Sequence, residues 1–306
     1  MKEEKKSSRQ VWVGILVSVF CLAAIFFFIE PMQIWEALKD ANYLFLLLTA
    51  VGIALFLIVR AWRWRFMLEN DIAFAPTFHI QNIGYLVNTY LPFRLGDITQ
   101  AALIGNVPPV TIARGLSTVV VARILDMMFI VVLLPLTVSQ VDSLPPAVQS
   151  AALATGIVSL LAIGVLIIAA NQRPFISKVT TAVFSRISQL DTKAWVRRID
   201  DLLIGLSSLT HLKSGLILIG VTILTWLPVI AAYYASMAAV HLQPTWAMAA
   251  FVVCAAAFSV AAPSSPGQVG VFHAGVIFAL VNILGQPEAQ SASFAFLYHA
   301  LNIIVM

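Results

Sequence analysis

Residues 87–105, VNTYLPFRLGDITQAALIG, are apolar enough to enter a membrane, yet Pro92, Arg94, Gly96 and Asp97 stand near their middle. A helix-breaking proline, a glycine four residues on and two opposite charges predict an interrupted or re-entrant segment. Non-helical backbone at membrane depth survives only when buried in protein or lining a watery cavity. Each charge costs roughly 2.5–3.5 kcal/mol at mid-bilayer on insertion scales, and residues that bear such a cost tend to be functional. The chemistry on offer is recognition. An arginine fork takes an anionic oxygen pair, and an aspartate orients that fork or takes a cation.

A second break, PSSPGQVG at residues 263–270, has the same form. Pro266, Gly267 and Gly270 precede His273, as Pro92 and Gly96 precede Asp97. Both breaks read Pro-x-x-x-Gly, and interruptions in corresponding places in two halves point to a transporter-type site between repeats. Two unrelated kinks are the plainer alternative, because Gly and Pro are common in membrane helices. A broken helix frees backbone N–H groups at its new N-terminus, and these favour an anion such as phosphate.

Arg123 and Asp126 stand roughly 12–17 Å into their own apolar run at 1.5 Å per residue. Three apart on one face, they can pair as a structural bridge, or Arg123 can face a lipid phosphate while Asp126 fixes it. Arg94 and Asp97 share that spacing and both readings. His273 and His299 read as hydrogen-bonded interior histidines, with a proton-carrying His273 as the alternative. Asn82, Asn88, Thr89 and Tyr90 can line the same cavity or bond between helices. Arg60, Arg63 and Arg65, with Trp62 and Trp64 between them, read as an interfacial topology signal that can also gather anionic headgroups.

The elements that must position these residues are membrane helices. The chain is 60% hydrophobic and only 10% charged, against about 25% charged in soluble domains. Its net charge of +4 is spread between apolar runs, which suits membrane topology and not a nucleic-acid face. Cys21 and Cys254 both lie inside apolar runs, so neither a disulfide framework nor a metal site is expected. The expected fold is an all-α, polytopic bundle of about eight spans plus the broken segments, a single transmembrane domain over residues 1–306.

Expected spans are residues 11–29, 43–59, 115–138, 151–170, 214–240 and 245–262, with shorter apolar runs at 271–284 and 291–306. The first run reads as an uncleaved span, since Glu30–Pro31 follows it where a signal peptide would carry small residues. Lys2, Lys5, Lys6, Arg9 and nearly every other basic residue fall on one side, which places both termini in the cytoplasm. Residues 171–213 carry apolar positions at helical spacing, Ile176, Val179, Val183 and Ile187, then Trp195, Ile199, Leu202, Leu206 and Leu209. They read as amphipathic helices on the inner leaflet or as an ordinary cytoplasmic hairpin.

Zincin, Walker and Gly-x-Ser-x-Gly signatures are missing, and no loop has the size of a catalytic domain. The chain is therefore not expected to be an enzyme or to need a cofactor. At four motifs it resembles the transmembrane-region family of lysylphosphatidylglycerol synthases, often called flippase-like. These are Arg60-x-x-Arg63-Trp64, Pro92-x-Arg94-x-Gly96-Asp97, Arg123-x-x-Asp126 and Pro266-Gly267-x-x-Gly270.

The resemblance implies a plasma-membrane protein that handles polar lipids, without the aminoacyl-transferring domain of bifunctional relatives. Those relatives commonly have Glu before the membrane arginine, where this chain has Ala122, and an acid near His273. These departures imply a different lipid preference. Taken together, the expected function is a lipid flippase or transporter that moves a polar or modified lipid, anionic or aminoacylated, across the plasma membrane. Arg94 and Arg123 would take an anionic headgroup, Asp97 and Asp126 would orient them or bind a cationic part, and Pro92, Gly96, Pro266 and Gly270 would shape the backbone. The competing expectations are a subunit presenting lipid to a separate transferase, and an ion-coupled small-solute transporter.

Overall fold

The computed structural model describes residues 31–91, 95–140, 146–185, 212–260 and 266–306, with single positions or short pieces at 16, 19–23, 25, 27, 191 and 196. Within them every regular element is helical, as the apolar runs predict. In chain order these are α1 (Pro31–Lys39), α2 (Tyr43–Met67), α3 (Phe74–Tyr90), α4 (Leu95–Gly105), α5 (Ile112–Val138) and α6 (Pro146–Asn171). Then follow α7 (Arg173–Phe184), α8 (Leu212–Ala239), α9 (Trp246–Ser259), α10 (Val271–Ile277) and α11 (Glu288–Val305). The expected first span falls mostly outside the described residues.

Three segments among the described residues, Tyr43–Met67, Ile112–Val138 and Lys213–Ala239, are long and apolar enough to cross a bilayer. They belong to α2, α5 and α8. Helix α2 starts where Asn42 caps it, its side-chain oxygen accepting the Leu44 N–H at 3.0 Å. It then runs antiparallel to α8, with the Asn42 N–H on the Ala239 carbonyl at 2.8 Å and Gly52 against Pro228 and Ala232. Small residues of this kind let membrane helices approach closely. Helix α9 has 14 residues, about 21 Å at 1.5 Å per residue, shorter than the hydrocarbon layer.

The first break is a hairpin of two half-helices, α3 and α4. They are antiparallel, since Gln100 donates to the Gln81 carbonyl at 2.9 Å while Gly96 lies against Gly84 and Asn88. A side chain on Gly96 would fall on the Gly84 carbonyl oxygen, so glycine is required there for close approach. Residues 92–94 join the two halves, so Pro92 and Arg94 lie outside the described residues.

The second break is built differently. Pro266–Gln268 form a single 3₁₀ turn, and Gly267, Gln268 and Gly270 have φ of +73°, +58° and +86°. Here glycine serves a left-handed backbone, and the matching Pro-x-x-x-Gly spacing answers two different demands. Helix α10 then passes into a π-helical stretch, Phe278–Ile283.

The two breaks meet, because Gly267 lies beside the Thr89 carbonyl at the end of α3. Buried side chains of α8 to α11, among them Met237, Val252, Val276, Leu280 and Phe294, form the main core. A smaller core under α3 and α4 contains Trp64, Ile104 and Val119. Of the expected amphipathic segment, α7 is described, with Val179 and Val183 exposed; residues 186–190, 192–195 and 197–211 lie outside the described residues.

Substituting Gly96→Ala forces the half-helix hairpin apart and is expected to cost about 1–3 kcal/mol, as overpacking does. Gly220, with open space where a Cβ would go, is the control, and Gly220→Ala should be neutral or gain up to about 1 kcal/mol of helix propensity. Thermal unfolding of the detergent-solubilised proteins checks both, and equal melting for the two variants refutes the packing argument.

Candidate functional site

Charged side chains from α2 and α4 converge on the middle of α5. Arg123 and Asp126 differ by about 60° around that helix, because 3.6 residues make a turn, and each turns to a different neighbour. Asp97, in the first turn of α4, receives Arg123 through two bonds, Nε to Oδ2 at 3.1 Å and Nη2 to Oδ1 at 2.6 Å. Asn88 donates to Asp97 at 3.1 Å and accepts the Gly96 N–H at 2.8 Å, which clamps the hairpin.

Asp126 takes Arg63 at 2.8 Å and Arg60 at 3.0 Å, both from α2. Trp226 of α8 donates its indole N–H to the same carboxylate at 3.2 Å, and Arg63 also donates to Thr222 at 3.2 Å. One carboxylate thus ties α2, α5 and α8 together. Such tertiary pairs replace the expected Arg123–Asp126 pair, while the expected Arg94–Asp97 pair falls outside the described residues. A fork between planar groups across helices outcompetes an i,i+3 contact, which is geometrically poorer.

The interfacial reading of Arg60 and Arg63 is corrected as well. They are 8% and 0% exposed, and Trp64 is buried with its indole N–H on Thr118 at 3.0 Å. Positions 60, 63 and 64 share the inward face of α2, while Trp62 points outward at 62% exposure. Arg65 spans the following turn to the Ile72 carbonyl at 2.8 Å. The freed N-terminal amides are not open for an anion at Gly96 or Gly270: Asn88 caps the first, and the His273 ring nitrogen Nδ1 accepts the second at 3.2 Å.

A cavity of about 560 Å³ opens beside this cluster, within the usual range for ligand pockets. Arg60, Tyr85, Asn88, Arg123 and Asp126 line it, and so do Gln268, Tyr298, His299 and Asn302 near the second break. The walls between are apolar or aromatic, including Ile53, Phe56, Trp226, Tyr233, Val253 and Phe272. Asp97 stands behind Arg123 and His273 behind His299; Tyr90 is exposed and does not reach the cavity.

The two histidines form a directed chain. With Nδ1 of His273 accepting from the Gly270 amide, its proton is on Nε2, which faces His299 Nδ1 at 3.3 Å. His299, accepting at Nδ1, then carries its own proton on Nε2. The same assignment leaves no lone pair on His273 for a metal, and no cluster of metal-ligating side chains occurs among the described residues.

Tyr85, Trp226, Tyr298 and Asn302 are absent from the sequence-based assignment. Tyr85 lies one turn from both Asn82 and Asn88, and Asn302 three residues past His299, so polar stripes at helical spacing were the available signal. Trp226 offers no such sign in its apolar run.

Asp126→Asn leaves two arginines without their carboxylate and is expected to cost about 3–5 kcal/mol, the usual penalty for breaking a buried ion pair. Asp97→Asn should cost less, because Arg123 keeps access to the cavity. Thermal melting in detergent compares them, and an equal or reversed order contradicts the pairing described.

The family comparison agrees with this architecture. The model of the lysylphosphatidylglycerol synthase TM region matches residues 11–306. No curated protein and no solved structure matches. The match covers both breaks, the α5 charges and nearly the whole chain, and the protein belongs to the lysylphosphatidylglycerol synthase TM-region family of integral membrane proteins.

Proposed function

We propose that this protein is a lipid flippase or lipid transporter of the plasma membrane, multi-pass, with both termini cytoplasmic. The observation that carries the reading is the cavity. A charged cluster inside membrane helices is flanked by apolar walls, which suits a polar headgroup whose acyl chains stay in lipid. Arg123 and Arg60 take the headgroup, Asp97 and Asp126 hold the two arginines in place, and the two breaks let the walls of the site shift. Arg94, in the link between the half-helices, is assigned to the same task from the sequence.

The protein acts as a carrier, with no covalent step and no cofactor assigned to it. Its partners are membrane lipids and, where the cargo is a modified lipid, a separate transferase that makes it. Solute transport is less well supported, since a water-soluble substrate gains nothing from walls as apolar as Ile53, Val253 and Phe272.

The test is transbilayer movement of fluorescent lipids in proteoliposomes made with lipid from the native membrane. Wild type should accelerate movement, and Arg123→Ala and Arg94→Ala should each lower the rate about tenfold or more, the loss expected for one charge-assisted contact. Full activity in correctly inserted variants would remove these arginines from the site. An inactive wild type would remove the transport reading.

A further inference from the structure

We infer that the cavity selects a lipid whose head is a single anionic phosphodiester carrying an uncharged, hydroxyl-rich substituent, and discriminates against aminoacylated and zwitterionic heads. The inference rests on the headgroup-site reading above and specifies which head.

The first argument is charge. Arg60, Arg63 and Arg123 face Asp97 and Asp126, so three guanidinium charges against two carboxylates leave one positive charge over among the described residues. An uncompensated buried charge is expensive. A ligand of net negative charge offsets this surplus, whereas a zwitterion leaves it and a cationic head adds to it.

Cation recognition is also blocked by occupancy. Asp97 spends both oxygens on Arg123 and takes Asn88 besides, while Asp126 holds two arginines and Trp226. The aromatic faces nearest the cluster are used as well, with the Arg60 guanidinium 5.5 Å from the Phe56 ring and 5.1 Å from Tyr85. An entering ammonium would have to displace a guanidinium that is already paired.

Donors, by contrast, are left over. Arg60 meets Asp126 through Nη2, and Arg123 reaches Asp97 through Nε and Nη2, which leaves its Nη1. The Tyr85 hydroxyl is buried beside Arg60 without a hydrogen-bond partner among the described residues. Such donors suit phosphate oxygens. Toward the second break the lining is neutral, with Gln268, Tyr298 and Asn302 offering both donors and acceptors, which is how hydroxyl groups are read.

Native mass spectrometry of the full chain in detergent, offered an equimolar mixture of dioctanoyl phosphatidylglycerol, phosphatidylethanolamine, phosphatidylcholine and lysyl-phosphatidylglycerol, tests this. Phosphatidylglycerol should occupy the protein about tenfold or more over each of the others. Tyr85→Phe, which removes one hydroxyl and little else, should lower that occupancy roughly tenfold, as loss of a hydrogen bond to a charged group does. Lysyl-phosphatidylglycerol or phosphatidylethanolamine at or above phosphatidylglycerol overturns the inference, and so does equal binding of all four. Displacement of the bound lipid by millimolar glycerol phosphate would mark a soluble phosphoester site and overturn the lipid assignment. Selective binding without transbilayer movement upholds the inference and overturns the transport reading alone.

Discussion

Asp126 is the charge on which the rest of the structure depends. Two arginines of α2 are buried inside the helix bundle, and a single carboxylate on α5 answers both. Removing charge from water is costly enough that each such group must be paired and hydrogen-bonded. This requirement brings α2, α5 and α8 to one point, where Trp226 and Thr222 add hydrogen bonds to the ion pairs. With Asp126 engaged, Arg123 needs a carboxylate from elsewhere. Asp97 supplies it only because the half-helix hairpin brings the start of α4 up to α5, and that approach depends on bare backbone at Gly96 facing Gly84. A packing constraint in one hairpin therefore serves an electrostatic one in the next helix.

The second break reaches the same cavity by a different route. Its left-handed glycines turn the chain without a long helix, and the histidine pair gives the turn a hydrogen-bond direction. Both ring acceptors are occupied by N–H donors. A proton added to His273 would displace the Gly270 amide, and one added to His299 would displace His273. The histidines therefore act first as structural caps of the break, consistent with the burial of His273.

Much of the fold was legible because membrane helices announce themselves by length and apolarity, and the breaks by Pro and Gly. The charged residues were also legible by type, since Arg and Asp inside an apolar run have few structural excuses. Their partners were not. Spacing along one helix reveals near neighbours such as Arg123 and Asp126, but it does not reveal which way each side chain turns or what stands opposite. Arg60 and Arg63 went the same way: with Trp62 outside and Trp64 inside, the cluster has an interior half and an exterior half that composition alone does not divide. Tyr90 was placed in the cavity on its polarity, yet the end of α3 turns it outward. Arg94 falls in the link between half-helices, and its role rests on sequence alone.

The occupied carboxylates also bear on turnover. A carrier must bind its cargo well enough to admit it and weakly enough to release it, as conduction through a selective pore also requires. If Arg60 and Arg123 were free, a phosphodiester would meet two fully exposed guanidinium groups in a dry site and leave slowly. On the proposed carrier reading each arginine already holds a resident aspartate, so a headgroup would share donors with Asp97 and Asp126 and gain only the difference. Its departure restores contacts that were formed before it came. On that reading the one positive charge left over among the described residues would set the sign of that difference, and the paired charges would keep it small.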